Sequence, residues 1–128
     1  MAIRSQVTVV DDDESVRESL PDLLRELGFS ARAFSSAEEF LASNAIESTD
    51  VLLLDVAMPG MSGPELQREL HRRQEAVPIV FITAQPDDTI HQRLLALGAV
   101  DCLRKPFSED ALVAALTTAM RGQLPGGR

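Results

Sequence analysis

The chain has 128 residues, 45% of them hydrophobic and 25% charged, which is the balance of one soluble globular domain that can bury a core. Its formal net charge of -8 excludes nucleic-acid binding by this chain alone, because a phosphate backbone is met by clustered lysine and arginine. A single cysteine excludes an internal disulfide, and the sequence has neither a signal-peptide core nor an apolar run of the about 20 residues that span a membrane. We therefore expect a cytoplasmic protein without membrane contact.

Short runs rich in Val, Ile and Leu alternate along the chain with longer segments of helical period. This alternation is typical of βα units built around a parallel sheet. The predicted strands are Val7–Val10, Ser30–Phe34, Val51–Leu54, Ile79–Thr83 and Asp101–Arg104. The first, third and fourth are almost wholly apolar, as strands covered by helices on both faces should be, whereas the second and fifth are expected to be more exposed. Right-handed crossovers would arrange these units as an open, doubly wound sheet.

Five helices are predicted between and after these strands from apolar spacing and capping residues. The first carries apolar residues at helical spacing from Val16 to Leu27 and ends at Gly28. The second and third begin at S-x-x-E capping boxes, over residues 36–39 and 62–65. The fourth is expected from near Asp87 to Leu97 with a stop at Gly98, and the fifth from Glu109 to about Met120 after a Ser108 cap.

Charged and polar side chains follow four of the predicted strands at the point where each strand ends. Asp11-Asp12-Asp13 follows the first strand, Asp55 ends the third, Thr83 ends the fourth and Lys105 follows the fifth. Each of these alone is an ordinary polar residue at a strand end. Because the carboxyl ends of parallel strands meet at one edge of the sheet, the residues together predict a charged pocket.

The residue types in this pocket indicate phosphoryl chemistry. The carboxylates of Asp11, Asp12 and Asp55 would repel one another, so the group favours a hard cation, for which Mg²⁺ is the natural candidate. An Asp55 oxygen left free by the metal could attack a phosphoryl group and form an acyl phosphate. The metal, Lys105 and Thr83 would then share the negative charge of the equatorial oxygens. A buried structural ion pair between Lys105 and Asp55 is a competing interpretation, compatible with the first in the resting state.

Four motifs in the sequence resemble those of bacterial response-regulator receiver domains. They are Val9–Asp13, Leu54–Gly63, Ile82–Ala84 and Lys105–Phe107. The resemblance extends from Val7 through Met120. It implies an α/β fold of the flavodoxin-like, doubly wound (βα)5 class, with a five-stranded parallel sheet in the order 2-1-3-4-5. It also implies a role in two-component signal transduction.

The resemblance implies specific roles for the acidic residues. Asp55 would accept a phosphoryl group from a cognate sensor histidine kinase. Mg²⁺ would be ligated by Asp12, Asp55 and the backbone carbonyl of Ala57, with Asp11 acting through water. Transfer to Asp55 and later loss of the phosphate would be catalysed by the chain itself, which is thus expected to be a phosphoacceptor switch and not an enzyme with a separate substrate.

The resemblance also implies how phosphorylation is sensed. Lys105 and Thr83 would contact the phosphoryl oxygens, Ala84 would leave room beside the site, and the bond from Lys105 to Pro106 can be cis. Members of the family carry an aromatic residue three positions before the lysine, which swings inward on activation. Cys102 occupies that position here, so the usual aromatic switch is not expected, and Cys102 is predicted to be a small buried filler.

Phosphorylation would bias two conformations of a face formed by the fourth helix, fifth strand and fifth helix. That face would control homodimerisation or an output domain, in most of the family a transcriptional one, and DNA would be contacted only through such a further domain. We expect residues 1–121 to form the receiver domain and residues 122–128 to be a tail or the start of a linker.

Two other classes of function share parts of this pattern. A Mg²⁺-dependent phosphohydrolase with an aspartyl-phosphate intermediate would need a second carboxylate just after the nucleophile, whereas Asp55 is followed by Val56, Ala57 and Met58. A flavin or nucleotide carrier would need Gly, Ser or Thr donors after the first strand, whereas the acids at 11–14 would repel a phosphate.

Overall fold

Strands and helices alternate strictly in the computed structural model, which describes residues 5–84 and 88–121. The strands are β1 Gln6–Val10, β2 Ser30–Phe34, β3 Val51–Asp55, β4 Ile79–Thr83 and β5 Asp101–Arg104. The helices are α1 Glu14–Glu26, α2 Ala37–Ala42, α3 Gly63–Arg72, α4 Asp88–Ala96 and α5 Glu109–Arg121. The predicted start of the fourth helix near Asp87 and the predicted tail at 122–128 lie outside the described residues.

The five strands form one parallel sheet in the order β2-β1-β3-β4-β5. This is the flavodoxin-like order expected from the sequence. β3 and β4 are buried along their whole length, whereas the edge strands carry exposed side chains such as Arg32 in β2 and Arg104 in β5. The predicted difference in exposure between central and edge strands is therefore confirmed.

The sheet separates two layers of apolar side chains, because successive residues of a strand point to opposite faces. We call the layer against α2, α3 and α4 the first core layer; it contains Phe40, Leu54, Leu66, Phe81, Leu94 and Cys102. The second core layer lies against α1 and α5 and contains Leu24, Leu53, Ile82, Leu103, Leu112 and Leu116. Both faces of the sheet are thus covered, and the two buried carboxylates of the described residues, Asp11 and Asp55, lie at strand ends.

The predicted starts of α2, α3 and α5 are confirmed by hydrogen bonds of three serine caps. Ser62 and Glu65 form the complete capping box of α3, and the Ser108 side chain accepts the N–H of residue 111. Ser36 caps α2, but the Glu39 carboxylate accepts the N–H of Ser35 instead of that of Ser36. Among the described residues, no helix is both long enough and apolar enough to cross a membrane.

Candidate functional site

Three carboxylates meet at the carboxyl end of the sheet. β1 pairs with β3 so that Val10 lies beside Leu54, and the next residue of each strand is an aspartate. Asp11 is fully buried, Asp55 is 7% exposed, and Asp12 faces solvent. One carboxylate oxygen from each of the three lies within 4.8 Å of the other two. The side chains of Asp11, Asp12 and Asp55, with Lys105, are called the acidic pocket below.

Lys105 reaches this pocket from the end of β5. Its backbone N–H donates to the carbonyl of Thr83 at 2.7 Å, and its bond to Pro106 is cis, as the resemblance implied. Its Nζ donates a hydrogen bond to Asp11 Oδ2 at 2.9 Å and lies 3.9 Å from Asp55 Oδ1. The ion pair with Asp55 that was the competing interpretation is present at 3.9 Å, but the hydrogen bond of the lysine goes to Asp11.

The charges of the pocket shift the protonation of its members. Burial, with the nearby negative charge of Asp11, raises the pKa of Asp55 to about 7, although Lys105 opposes the shift. Burial alone would lower the pKa of Lys105, but its hydrogen bond to Asp11 and the charge of Asp55 raise the pKa above its usual value. One ammonium group therefore does not compensate for three carboxylates in this space.

Thr83 and Ala84 lie at the end of β4, on the next strand beyond Asp55. Asp55 pairs with Ile82 in the parallel register, and Thr83 is the residue after Ile82, so Thr83 lies beside the end of β3. The Thr83 side chain is 6% exposed, whereas Ala84 is exposed. The fold therefore brings a hydroxyl to the edge of the sheet that carries the carboxylates, followed by a residue with only a methyl side chain.

Ala57 lies in the loop between β3 and α3, residues 56–62, which we call the β3–α3 loop. Ala57 itself is exposed. The start of α3 is held close to the pocket, since a Cβ added at Gly63 would lie 2.4 Å from the backbone oxygen of Asp55. The backbone that follows Asp55 is thus packed against Asp55 itself, and only a glycine permits this approach.

Cys102 lies away from the acidic pocket. It is 5% exposed, belongs to the first core layer and pairs with Phe81 across the sheet. Burial raises the pKa of its thiol, and the nearby Asp101 adds to the shift. The prediction of a buried filler is confirmed. Beside it, a cleft of about 360 Å³ is lined by His91, Gln92, Cys102 and Arg104.

Two charged side chains form hydrogen bonds with the backbone at or near the acidic pocket, and the sequence pattern did not indicate them. Arg17 on α1 donates from Nη1 to the backbone oxygen of Asp11 at 3.0 Å. Glu38 on α2 accepts the backbone N–H of Met61 in the β3–α3 loop at 2.9 Å. Both lie on first turns of helices, where charged residues are common, so no sequence signal separated them from ordinary surface charges.

Comparison with known proteins gives consistent matches over nearly the whole chain. The regulator TmoT from Ectopseudomonas mendocina is 39% identical over 117 residues, covering 91% of this chain and 53% of that protein. The transcriptional regulatory protein FixJ from Bradyrhizobium diazoefficiens is 35% identical over 128 residues, covering all of this chain and 62% of that protein. This chain therefore spans about half of the length of TmoT and less than two thirds of the length of FixJ.

Solved structures agree with the sequence relatives. The response regulator StyR superposes with a TM-score of 0.82 at 44% identity, over 94% of this chain and 64% of that one. The FixJ-N crystal structure gives a TM-score of 0.82 at 36% identity, over 92% and 94% of the two chains. The family model described as response regulator receiver domain matches residues 7–117. The chain therefore belongs to the response regulator receiver domain family of two-component signalling.

Proposed function

We propose that this chain is a phosphorylation switch in which Asp55 accepts a phosphoryl group from a sensor histidine kinase with the help of Mg²⁺. The observation that carries the proposal is the acidic pocket, where three carboxylate oxygens lie within 4.8 Å of one another beside a lysine ammonium. Asp11 and Asp55 are buried, and burial opposes ionisation of Asp55, so a functional role explains these carboxylates better than a stabilising one.

The donor set of the pocket fits a hard divalent cation. All side-chain ligands are carboxylate oxygens, and their mutual repulsion is compensated only in part by Lys105. We assign the metal to Asp12, Asp55 and the Ala57 backbone carbonyl, with Asp11 acting through water. When bound, Mg²⁺ would supply positive charge that offsets the carboxylates and the incoming phosphoryl oxygens.

Besides the metal, the transfer step uses side chains that lie at the strand ends. A carboxylate oxygen of Asp55 attacks the phosphorus of a phosphohistidine, the P–N bond breaks, and the imidazole of the kinase leaves with the bonding electron pair. Lys105 Nζ, 3.9 Å from Asp55 Oδ1, is close enough to contact the new phosphate, and the Thr83 hydroxyl lies on the neighbouring strand. In autodephosphorylation, water attacks the phosphorus of the acyl phosphate, the P–O bond to the Asp55 oxygen breaks, and inorganic phosphate and the Asp55 carboxylate are released.

The phosphohydrolase alternative is not favoured. The residues that follow Asp55 in the β3–α3 loop are Val56, Ala57 and Met58, none of which can transfer a proton to a leaving group. The switch needs no such group, because the imidazole of a phosphohistidine is a much better leaving group than the alkoxide of a phosphate ester.

Downstream of Asp55, we propose that α4, β5 and α5 form the face that changes with phosphorylation. It would control homodimerisation or an output domain, and the FixJ relative, named as a transcriptional regulatory protein, favours transcriptional output. We place the receiver at residues 1–121, with residues 122–128 as tail or linker, and contact with DNA only through a further domain. Because the proposed kinase would use cytoplasmic ATP, we also propose that the chain lies in the cytoplasm.

Intact mass spectrometry after incubation with acetyl phosphate and Mg²⁺ tests the acceptor. The wild-type chain is expected to gain one phosphoryl group that hydroxylamine removes and that EDTA prevents, and Asp55→Asn is expected to gain none. Asp13→Asn is the matched control, because Asp13 lies outside the metal cluster and asparagine also caps helices well. The assignment is wrong if Asp55→Asn acquires the same labile phosphate.

A further inference from the structure

The tip of the β3–α3 loop is tethered to α2 by one side chain. Glu38 Oε2 accepts the Met61 N–H at 2.9 Å. The preceding residue, Gly60, has φ +76 and lies so close that an added Cβ would be 2.6 Å from the same oxygen. The backbone of the loop therefore packs directly onto the carboxylate, in a conformation and at a distance that glycine permits.

Other parts of this loop are anchored independently of Glu38. The Val56 N–H donates to the carbonyl of Ile82, and the Gly63 N–H donates to the carbonyl of Val56. Met58 is 8% exposed and packs in the first core layer. These contacts fix both ends of the loop and its Met58 side chain, and Glu38 adds a contact at the tip, where the chain turns back towards α3.

The position of Glu38 is itself fixed by the packing of α2. Ala37 and Phe40, on either side of it in sequence, are fully buried, and Ser36 caps the helix. Glu39 is occupied at the helix start, where it accepts the N–H of Ser35. Glu38 is therefore the acid of this turn that is directed towards the neighbouring loop.

We propose that Glu38 is a positioning residue for the metal site, acting through the β3–α3 loop on the backbone carbonyl of Ala57. The inference rests on the proposed function, in which that carbonyl is a Mg²⁺ ligand. A ligand on a loop binds well only when the loop is already held in the binding conformation, and a hydrogen bond from an N–H to a carboxylate is a strong constraint. Without it, part of the metal-binding free energy would be spent on ordering the loop.

Two variants separate the hydrogen bond from the charge. Glu38→Ala removes the acceptor, whereas Glu38→Gln keeps an oxygen at the same position without the charge. Glu47→Ala, at an exposed acid between α2 and β3, is the control for loss of one negative charge. Urea unfolding in EDTA is measured for all four proteins, so that an effect on the metal site is separated from a loss of overall stability.

Mg²⁺ titration followed by amide NMR gives the dissociation constant. We expect Glu38→Ala to weaken Mg²⁺ binding about threefold, less than the roughly tenfold or more that loss of a direct partner of a metal ligand costs, because Glu38 contacts the loop at Met61 and not at Ala57. Glu38→Gln should fall between wild type and Glu38→Ala, because its amide oxygen can still accept the Met61 N–H but lacks the charge that strengthens the bond. Glu47→Ala should bind nearly as wild type. Phosphorylation of Glu38→Ala should need more Mg²⁺ but reach the wild-type rate at saturation. In the metal-free protein, the Met61 amide should exchange its hydrogen faster in Glu38→Ala than in Glu38→Gln.

The outcomes distinguish this inference from the proposed function. A wild-type chain that neither binds Mg²⁺ nor becomes phosphorylated contradicts the proposed function. A wild-type chain that does both, with Glu38→Ala binding Mg²⁺ equally well, overturns the role of Glu38 alone. The role is also overturned if Glu38→Gln is as weak as Glu38→Ala, because the charge and not the acceptor would then matter.

Discussion

The acidic pocket and the first core layer are adjacent along the same strands. In the core layer apolar side chains are packed against one another, whereas in the pocket negatively charged side chains are packed together. Leu54 is fully buried among apolar side chains, whereas the next residue, Asp55, is buried beside Asp11 with a partial counter-charge from Lys105. Burial of Leu54 stabilises the fold, whereas burial of Asp55 opposes ionisation of its carboxyl group. A single step along β3 thus separates a residue that serves stability from one that serves chemistry.

The largest expected effect is in the first core layer. Phe81 is 0% exposed, so Phe81→Ala removes a ring from a closely packed layer and should lower the free energy of unfolding by about 3–5 kcal/mol. Urea unfolding measures this change. Leu97→Ala, at a side chain 49% exposed, is the control and should change stability by less than about 0.5 kcal/mol. Equal losses for both variants would contradict the contrast between core and surface.

The acidic pocket should respond in the opposite direction. Asp55→Asn removes a buried charge from beside Asp11, so the metal-free protein at neutral pH should gain about 1–2 kcal/mol of stability, with solvent screening taken into account. Unfolding in EDTA measures this gain. Mg²⁺ should stabilise the wild-type chain and have much less effect on the variant, because a ligand is lost.

The same variant predicts a pH dependence with a definite sign. The pKa of Asp55 is raised from 3.8 to about 7 in the folded chain, so between these values the native state holds a proton that the unfolded state has lost. The metal-free wild-type protein should therefore lose stability as pH rises from 5 to 7 relative to Asp55→Asn. Both proteins carry the same histidines, so the difference reports Asp55 together with Asp11 and Lys105, whose charges act on it. Parallel pH profiles for the two would rule out the shift.

Much of this architecture could be predicted because local patterns and tertiary demands agree. Apolar runs marked the strands, with ends that differ from the structure by one residue at β1 and β3. The caps at Ser62 and Ser108 marked the starts of α3 and α5. The acidic pocket followed because parallel strands place their carboxyl ends together.

Side-chain partners could be predicted less well than positions. Strand order places Lys105 near both Asp11 and Asp55, but it does not decide which carboxylate accepts the hydrogen bond. The direction of Glu38 towards Met61 depends on how α2 packs, and a helix of six residues has too little sequence pattern to reveal it. Contacts between elements that are distant in sequence are set by packing, to which the sequence pattern gives only indirect access.

The smallest expected effect is at Cys102, where the family's aromatic residue is replaced. Cys102→Ala removes one buried sulfur atom and should cost about 1 kcal/mol, and Asp55 should still be phosphorylated at the wild-type rate, because Cys102 lies in the first core layer and not in the acidic pocket. The native thiol should react slowly with a thiol reagent, since burial both hides it and raises its pKa. Labelling of the native chain as fast as that of the chain in urea would contradict this placement. Slower phosphorylation of Cys102→Ala would instead show that the first core layer is coupled to the acidic pocket. The coupling would then act through a side chain smaller than the family's aromatic ring.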